Sequence, residues 1–227
     1  MITLGNLELG KKPCVAAVVD GILPLDDLVD LKKKGLDLIE IRADLIEKPL
    51  ECIVRYMTDI KTAVGLPMIG TVRENDRTRE QRLNIFASIM PLVDCVDIEL
   101  GVTDAGQILE LARSQAKAIL VSDHNFENTP DNAQLQSIVD RAVAQGGQIV
   151  KVVTTAETEE DAWRLLAFAK QCRVPIVAFA MGAAGSFSRI KACDYGSLFS
   201  YGYIGKAVAP GQLSAEELLN LNSEIHR

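Results

Sequence analysis

The chain has 227 residues, 48% hydrophobic, 24% charged and 5% aromatic, with a formal net charge of −7. That balance suits a globular protein with one sizeable core, so a single domain over residues 1–227 is expected. The acidic charge and few aromatic rings argue against a nucleic-acid partner, and no apolar run approaches the roughly 20 residues of a membrane helix.

Eight short apolar, β-rich runs recur along the chain, with segments of helical period between them. Before the first run, Ile2, Leu4, Leu7 and Leu9 alternate around Gly5-Asn6, which predicts a small hairpin plugging one end of the fold. The runs are Pro13–Val19, Leu36–Ile41, Pro67–Val72, Cys95–Leu100, Ala118–Ser122, Gln148–Val153, Pro175–Ala180 and Ser200–Ile204. Their near-continuous apolar character is that of parallel strands buried on both faces. The helical segments are Leu25–Lys34, Pro49–Val64, Arg79–Val93, Asp104–Gln115, Asn132–Gln145, Thr158–Cys172, Phe187–Tyr195 and Ala215–Ile225. The sixth opens on Glu157, Glu159, Glu160 and Asp161, which suit the positive end of a helix dipole. The last follows Ser214 with Glu217 three positions on, a capping-box spacing. Eight strand–helix units imply an α/β fold, a (β/α)₈ TIM barrel, with a doubly wound open sheet as the alternative.

The five cysteines, Cys14, Cys52, Cys95, Cys172 and Cys193, form no C-x-x-C pair and mostly sit beside apolar residues. They read as core-filling thiols of a reducing, cytoplasmic compartment. The start lacks the basic and apolar regions of a secretory signal. With only His124 and His226 as histidines, zinc-type ligand spacing cannot be assembled, so no metal is expected.

In such a barrel chemistry sits at the C-terminal strand ends, and reactive side chains cluster there. The second strand ends Glu40-Ile41-Arg42-Ala43-Asp44, and a period of two sends Glu40, Arg42 and Asp44 to one face and Ile39, Ile41 and Leu45 to the other. Charges on an inner wall must be paired, so the cluster is either a structural ion-pair group or faces a substrate. The third strand ends in Arg73; the fifth leads into His124, the side chain best suited to general acid/base work near neutrality. The sixth carries Lys151 between apolar neighbours, where burial works against its ammonium and favours a nucleophilic amine. A strand-six lysine beside a strand-five histidine points to Schiff-base chemistry with a proton shuttle. The glycines and Arg189 of Met181–Arg189 suggest an anion site, and Ala209-Pro210-Gly211-Gln212 reads as a lid or a simple connector.

The set Glu40-x-Arg42-x-Asp44, Thr71-x-Arg73, Ser122-x-His124-x-Phe126, Lys151, Met181-Gly182-x-x-Gly185-x-x-Ser188-Arg189 and Ala209-Pro210-Gly211-Gln212 closely resembles type I 3-dehydroquinate dehydratase. It runs in order through nearly the whole chain. The resemblance implies a homodimeric, cofactor-free (β/α)₈ enzyme of the shikimate pathway that dehydrates 3-dehydroquinate to 3-dehydroshikimate. It also implies Lys151 as the imine-forming amine and His124 as the acid/base. The same resemblance implies that Arg189 pairs with the substrate carboxylate, that Glu40, Arg42 and Arg73 hold ring hydroxyls, that Met181 packs on the ring and that Gln212 closes over it. Two departures stand out. The family's Glu-Gly-Gly loop is absent, and Arg77 falls where its histidine-orienting glutamate aligns, so either Glu74, Asp76 or Glu80 replaces that carboxylate or His124 works without it. Val208 stands where the family's lid carries Ser or Thr. The other readings are a Schiff-base lyase or aldolase acting on another oxo acid or a phosphorylated sugar, and a non-catalytic paralogue binding a related carboxylate. Whatever the ligand, an acidic protein serving an anion is expected to carry its −7 on the outer helices and a positive pocket.

Overall fold

The structure, a computed structural model, describes residues 2–205 and 212–225. Two short strands, β1 (Ile2–Leu4) and β2 (Leu7–Leu9), pair antiparallel at the start. They are followed by β3 (Val15–Val19), α1 (Leu25–Lys33), β4 (Leu38–Arg42), α2 (Leu50–Ala63), β5 (Met68–Thr71) and α3 (Arg82–Ile89). Next come β6 (Cys95–Glu99), α4 (Ala105–Ser114), β7 (Ala118–His124), α5 (Asn132–Gln145), β8 (Ile149–Thr155) and α6 (Glu159–Gln171). The described chain finishes with β9 (Ile176–Met181), α7 (Phe187–Lys191), β10 (Ser200–Tyr203) and α8 (Ala215–Ile225).

Strands β3 to β10 form one parallel sheet in the order β10-β3-β4-β5-β6-β7-β8-β9. Its two ends meet. Leu198, leading into β10, donates its N–H to the Ile176 carbonyl at 2.8 Å, and Ser197 Oγ accepts from Ala178 N at 3.1 Å. That closure selects the barrel over the open sheet, a choice that alternation alone leaves unmade.

Period two divides each strand between two cores. Outward residues such as Ile39, Ile41, Val96, Val121, Val150 and Val152 pack under the helices, while Leu38, Ile69, Cys95, Leu120, Ile149 and Val177 fill the barrel's lower interior. Leu4 and Leu9 of the hairpin join that inner cluster, so the plug expected from Ile2–Leu9 is present. Helix starts follow their side chains: Asp131 with Gln134 opens α5, Thr158 with Asp161 opens α6, and Ser214 with Glu217 opens α8 as reciprocal caps.

Two helices are shorter than the segments expected for them, the second of which, Phe187–Tyr195, shows little clear periodicity. The Arg79–Val93 segment is helical only over Arg82–Ile89 and ends in a 3₁₀ turn, Met90–Leu92, that holds Pro91 at its start. Upstream, the buried Thr78 hydroxyl donates to the Arg73 carbonyl at 2.7 Å and accepts from Asn75 N at 2.9 Å, holding the chain in a turn. The Phe187–Tyr195 segment splits into α7 and a 3₁₀ turn, Cys193–Tyr195. No described helix is long and apolar enough to cross a membrane.

Candidate active site

The upper half of the barrel interior is polar, and the strand register explains how. Thr71 on β5 lies beside Asp97 on β6, and Ser122 on β7 beside Lys151 on β8. Lys151 is 5% exposed, and its Nζ lies 3.0 Å from Asp97 Oδ2 and 3.7 Å from Glu40 Oε2. Asp97 also meets Arg73 Nη1 at 2.8 Å and accepts a 2.6 Å hydrogen bond from Ser122 Oγ. Glu40 accepts from the Thr71 hydroxyl. Arg42 forks onto Asp44, Nε to Oδ1 at 3.0 Å and Nη2 to Oδ2 at 2.6 Å. Burial alone would push the Asp97 carboxyl up; the charges of Arg73 and Lys151 instead hold it well below the usual carboxylate range.

Asp97 is the residue that sequence reasoning passed over. It is fully buried and ties the candidate amine to a candidate substrate-binding arginine. Its signal was available: Cys95-Val-Asp-Ile-Glu carries charge at alternate positions in an apolar run, the same signature that singled out Glu40 and Arg42.

All eight singled-out residues, Glu40, Arg42, Arg73, His124, Lys151, Met181, Arg189 and Gln212, line one cavity of about 320 Å³ at the C-terminal strand ends. Glu40 and Arg42 come from β4, Arg73 from just beyond β5, and His124 and Met181 are the last residues of β7 and β9. His124 is pushed well below its ordinary value by burial first and then by the charges of Arg73 and Lys151, which keeps the imidazole neutral at physiological pH. Arg189, on α7 and 3% exposed, is different from the other cations. Among the described residues it pairs with no carboxylate; its Nε has no hydrogen-bond partner, and burial lowers it to about 10. Gly185 brings that segment in: a Cβ there would stand 2.5 Å from the Met181 carbonyl oxygen and 2.8 Å from Ala180 Cβ.

Several expectations need correcting. Leu45 does not point away with Ile39 and Ile41; it lines the cavity, because β4 ends at Arg42 and the chain turns before the alternation reaches it. The pocket is not simply positive. Arg42, Arg73 and Lys151 face Asp44, Asp97, Glu99 and Glu40, three cations against four carboxylates, while Arg189 is the cavity's cation with no carboxylate of its own among the described residues. Nor do the proposed substitute carboxylates turn toward His124. Glu74 and Asp76 pair with the exposed Arg79 at 3.1 and 3.7 Å, and Glu80 is exposed. The carboxylate whose charge reaches His124 is Asp97. Arg77 has a different job from an orienting glutamate: its Nη2 donates to the carbonyls of Ala43 and Asp44 at 3.1 and 2.6 Å, fastening the shortened loop to the end of β4. Val208 and Ala209-Pro210-Gly211 of the lid reading lie outside the described residues.

Fold and cavity together define a class, a (β/α)₈-barrel enzyme with a buried lysine and a neutral imidazole at the catalytic end of the strands. The family model of type I 3-dehydroquinase matches residues 15–227, and the chain belongs to that family. It is 32% identical over 230 residues to the 3-dehydroquinate dehydratase of Methanococcoides burtonii, covering 96% of this chain and 97% of that one. To the 3-dehydroquinate dehydratase of a Hydrogenobaculum species it is 36% identical over 204 residues, 88% of this chain and 94% of the relative. The crystal structure of the Aquifex aeolicus 3-dehydroquinate dehydratase superposes with a TM-score of 0.81 at 27% identity, covering 94% of this chain and 99% of that one.

Proposed function

We propose that this chain converts 3-dehydroquinate to 3-dehydroshikimate and water through an imine on Lys151. The observation that carries the reading is the company Lys151 keeps: one cavity holds this amine, a neutral imidazole and a buried guanidinium with no carboxylate of its own among the described residues. Arg189 takes the substrate carboxylate, since a desolvated guanidinium gains most from an anion it can grip with two N–H groups. Lys151, once it has passed a proton to the site, adds through Nζ to the C3 ketone; the ketone oxygen leaves as water and a protonated imine remains. That cation draws electrons from the neighbouring C–H bond, and His124 removes the C2 proton to give an enamine. The enamine expels the C1 hydroxyl, which takes the proton now on His124 and departs as water from the same face. Hydrolysis of the product imine returns Lys151, so the net change is the loss of one water.

Glu40, Arg42 and Arg73 hold the ring hydroxyls in this reading, Met181 lies against the ring and Gln212 covers it. The same reading carries a homodimer, which sedimentation checks, and a reducing cytoplasm, with which five unpaired cysteines agree. The test is borohydride trapping with 3-dehydroquinate, peptide mass mapping and absorbance of the conjugated product. A reduced adduct on Lys151 and product formation that vanishes in Lys151→Ala are expected. Undiminished turnover in Lys151→Ala overturns the assignment, and an adduct without the conjugated product points to an aldolase instead.

A further inference from the structure

Beneath the cavity lies an aromatic floor. Tyr201 on β10 meets Phe179 on β9 with ring centroids 5.8 Å apart and planes at 61°, and meets Phe199 at 5.3 Å and 70°, both edge-to-face. All three rings are buried, Tyr201 at 2% exposure. Two cations stand on this floor: Lys151 Nζ lies 4.2 Å from the centre of the Tyr201 ring, and the Arg189 guanidinium carbon lies 4.3 Å from that of Phe179. The Tyr201 hydroxyl, by contrast, is buried with no hydrogen-bond partner among the described residues. A buried phenol without a partner is unfavourable, so what the position uses is the ring face.

We infer that Tyr201 is a positioning residue whose ring face holds the Lys151 nitrogen while it is cationic and, through Phe179, spaces that nitrogen from Arg189. The inference rests on the imine reading above. An ammonium has three N–H groups, enough for Asp97 and Glu40 together; the protonated imine keeps one. One carboxylate contact is therefore lost when the imine forms. Attraction to an aromatic face depends on the charge above the ring and on no particular N–H, so it persists from ammonium to imine. Edge-to-face packing fixes the Phe179 ring against Tyr201, and the two cations riding on those rings are held at a set separation.

The test compares Tyr201→Phe, Tyr201→Leu and a series in which residue 201 is phenylalanine with one, two or three ring fluorines, which drain the ring face with little change of shape. Each protein is reacted with 3-dehydroquinate and, separately, with pyridoxal 5′-phosphate as a carbonyl probe unrelated to the substrate reading. Borohydride-trapped adduct on Lys151 is quantified by peptide mapping, alongside kcat and KM. Tyr201→Phe is expected to trap like the parent and to be no less stable. Tyr201→Leu is expected to trap about 10- to 30-fold more slowly with both carbonyls, and the fluorinated series to decline stepwise in kcat with little change in KM. If Tyr201→Leu does not fold, the fluorinated series decides. Full trapping in the trifluorinated protein overturns the inference, as does loss of trapping in Tyr201→Phe. An adduct with pyridoxal 5′-phosphate but no turnover of 3-dehydroquinate overturns the substrate reading alone, and the variants still test the floor. No adduct on Lys151 with either carbonyl overturns both.

Discussion

Replacing Asp97 with Asn removes one negative charge and almost no volume from the most constrained point of the barrel. The carboxylate is fully buried between Lys151 at 3.0 Å and Arg73 at 2.8 Å, with Ser122 donating to it at 2.6 Å. Removing one partner from a buried ion pair leaves an uncompensated charge and costs about 3–5 kcal/mol. Here Glu40, 3.7 Å from Lys151, and Glu99, 3.8 Å from Arg73, relieve part of that loss, so the lower end of the range is expected. For a chain of this size, about 3 kcal/mol corresponds to a fall in Tm of about 6–12 °C. The difference also depends on pH. The folded Asp97 carboxyl is held below its unfolded value, so its contribution is complete above about pH 4. Below that the unfolded chain takes up the proton first, and the parent protein loses stability that Asp97→Asn never had. Urea unfolding at pH 7 and at steps down to pH 3 is therefore expected to show a gap that narrows with acid. Activity falls as well, by about 100-fold in kcat, because Lys151 and Arg73 lose their common anchor. A stability difference under about 1 kcal/mol at pH 7, or a gap constant to pH 3, refutes the reasoning.

Three further outcomes are expected. The imidazole of His124 is held well below its ordinary value by burial and by the charges of Arg73 and Lys151, and the proposed mechanism uses it as the base. Activity should therefore fall on the acid side with a midpoint in kcat/KM below about 6.5, and a midpoint above that value contradicts the assignment. His124→Ala is expected to lose about 10²- to 10⁴-fold in kcat. Glu74→Gln, Asp76→Asn and Glu80→Gln, all exposed, each stay within about fivefold of the parent; equal losses would restore one of them as the orienting carboxylate. Finally, Gly185→Ala forces the turn before α7 away from Met181 and Ala180, costing about 1–3 kcal/mol and moving Arg189. Its KM should rise by more than its kcat falls, which steady-state kinetics will check.

Much of the architecture was legible because its causes are local. A parallel strand buried on both faces needs a short apolar run, and all eight runs are strands. Capping at Ser214 and Glu217 involves side chains three positions apart and was visible as spacing. The exceptions are equally physical. Periodicity in Arg79–Val93 could not reveal that Thr78 would spend its hydroxyl on Arg73, or that Pro91 would begin a 3₁₀ turn. Leu45 was misplaced for a related reason: alternation holds only while the strand lasts.

The cavity divides along the same line. Composition, apolar period and the positions of reactive side chains at strand ends were enough to expect a barrel and the end that carries its chemistry, where Glu40, Arg42, Arg73, His124, Lys151 and Arg189 line one cavity; Met181 and Gln212 of that cavity were named only through the family resemblance. Charge partnership was not available from them. Asp97 reaches Lys151 across 54 positions of sequence, Arg189 and Tyr201 meet only where the ring closes, and Arg77 fastens a loop to a strand end 33 residues earlier. Each pairing depends on how adjacent strands are staggered and on the sheet closing on itself. The expected positive pocket thus became a nearly balanced ion cluster with Arg189 left over: side-chain type is written residue by residue, but a buried charge takes its meaning from whatever the folded chain sets against it.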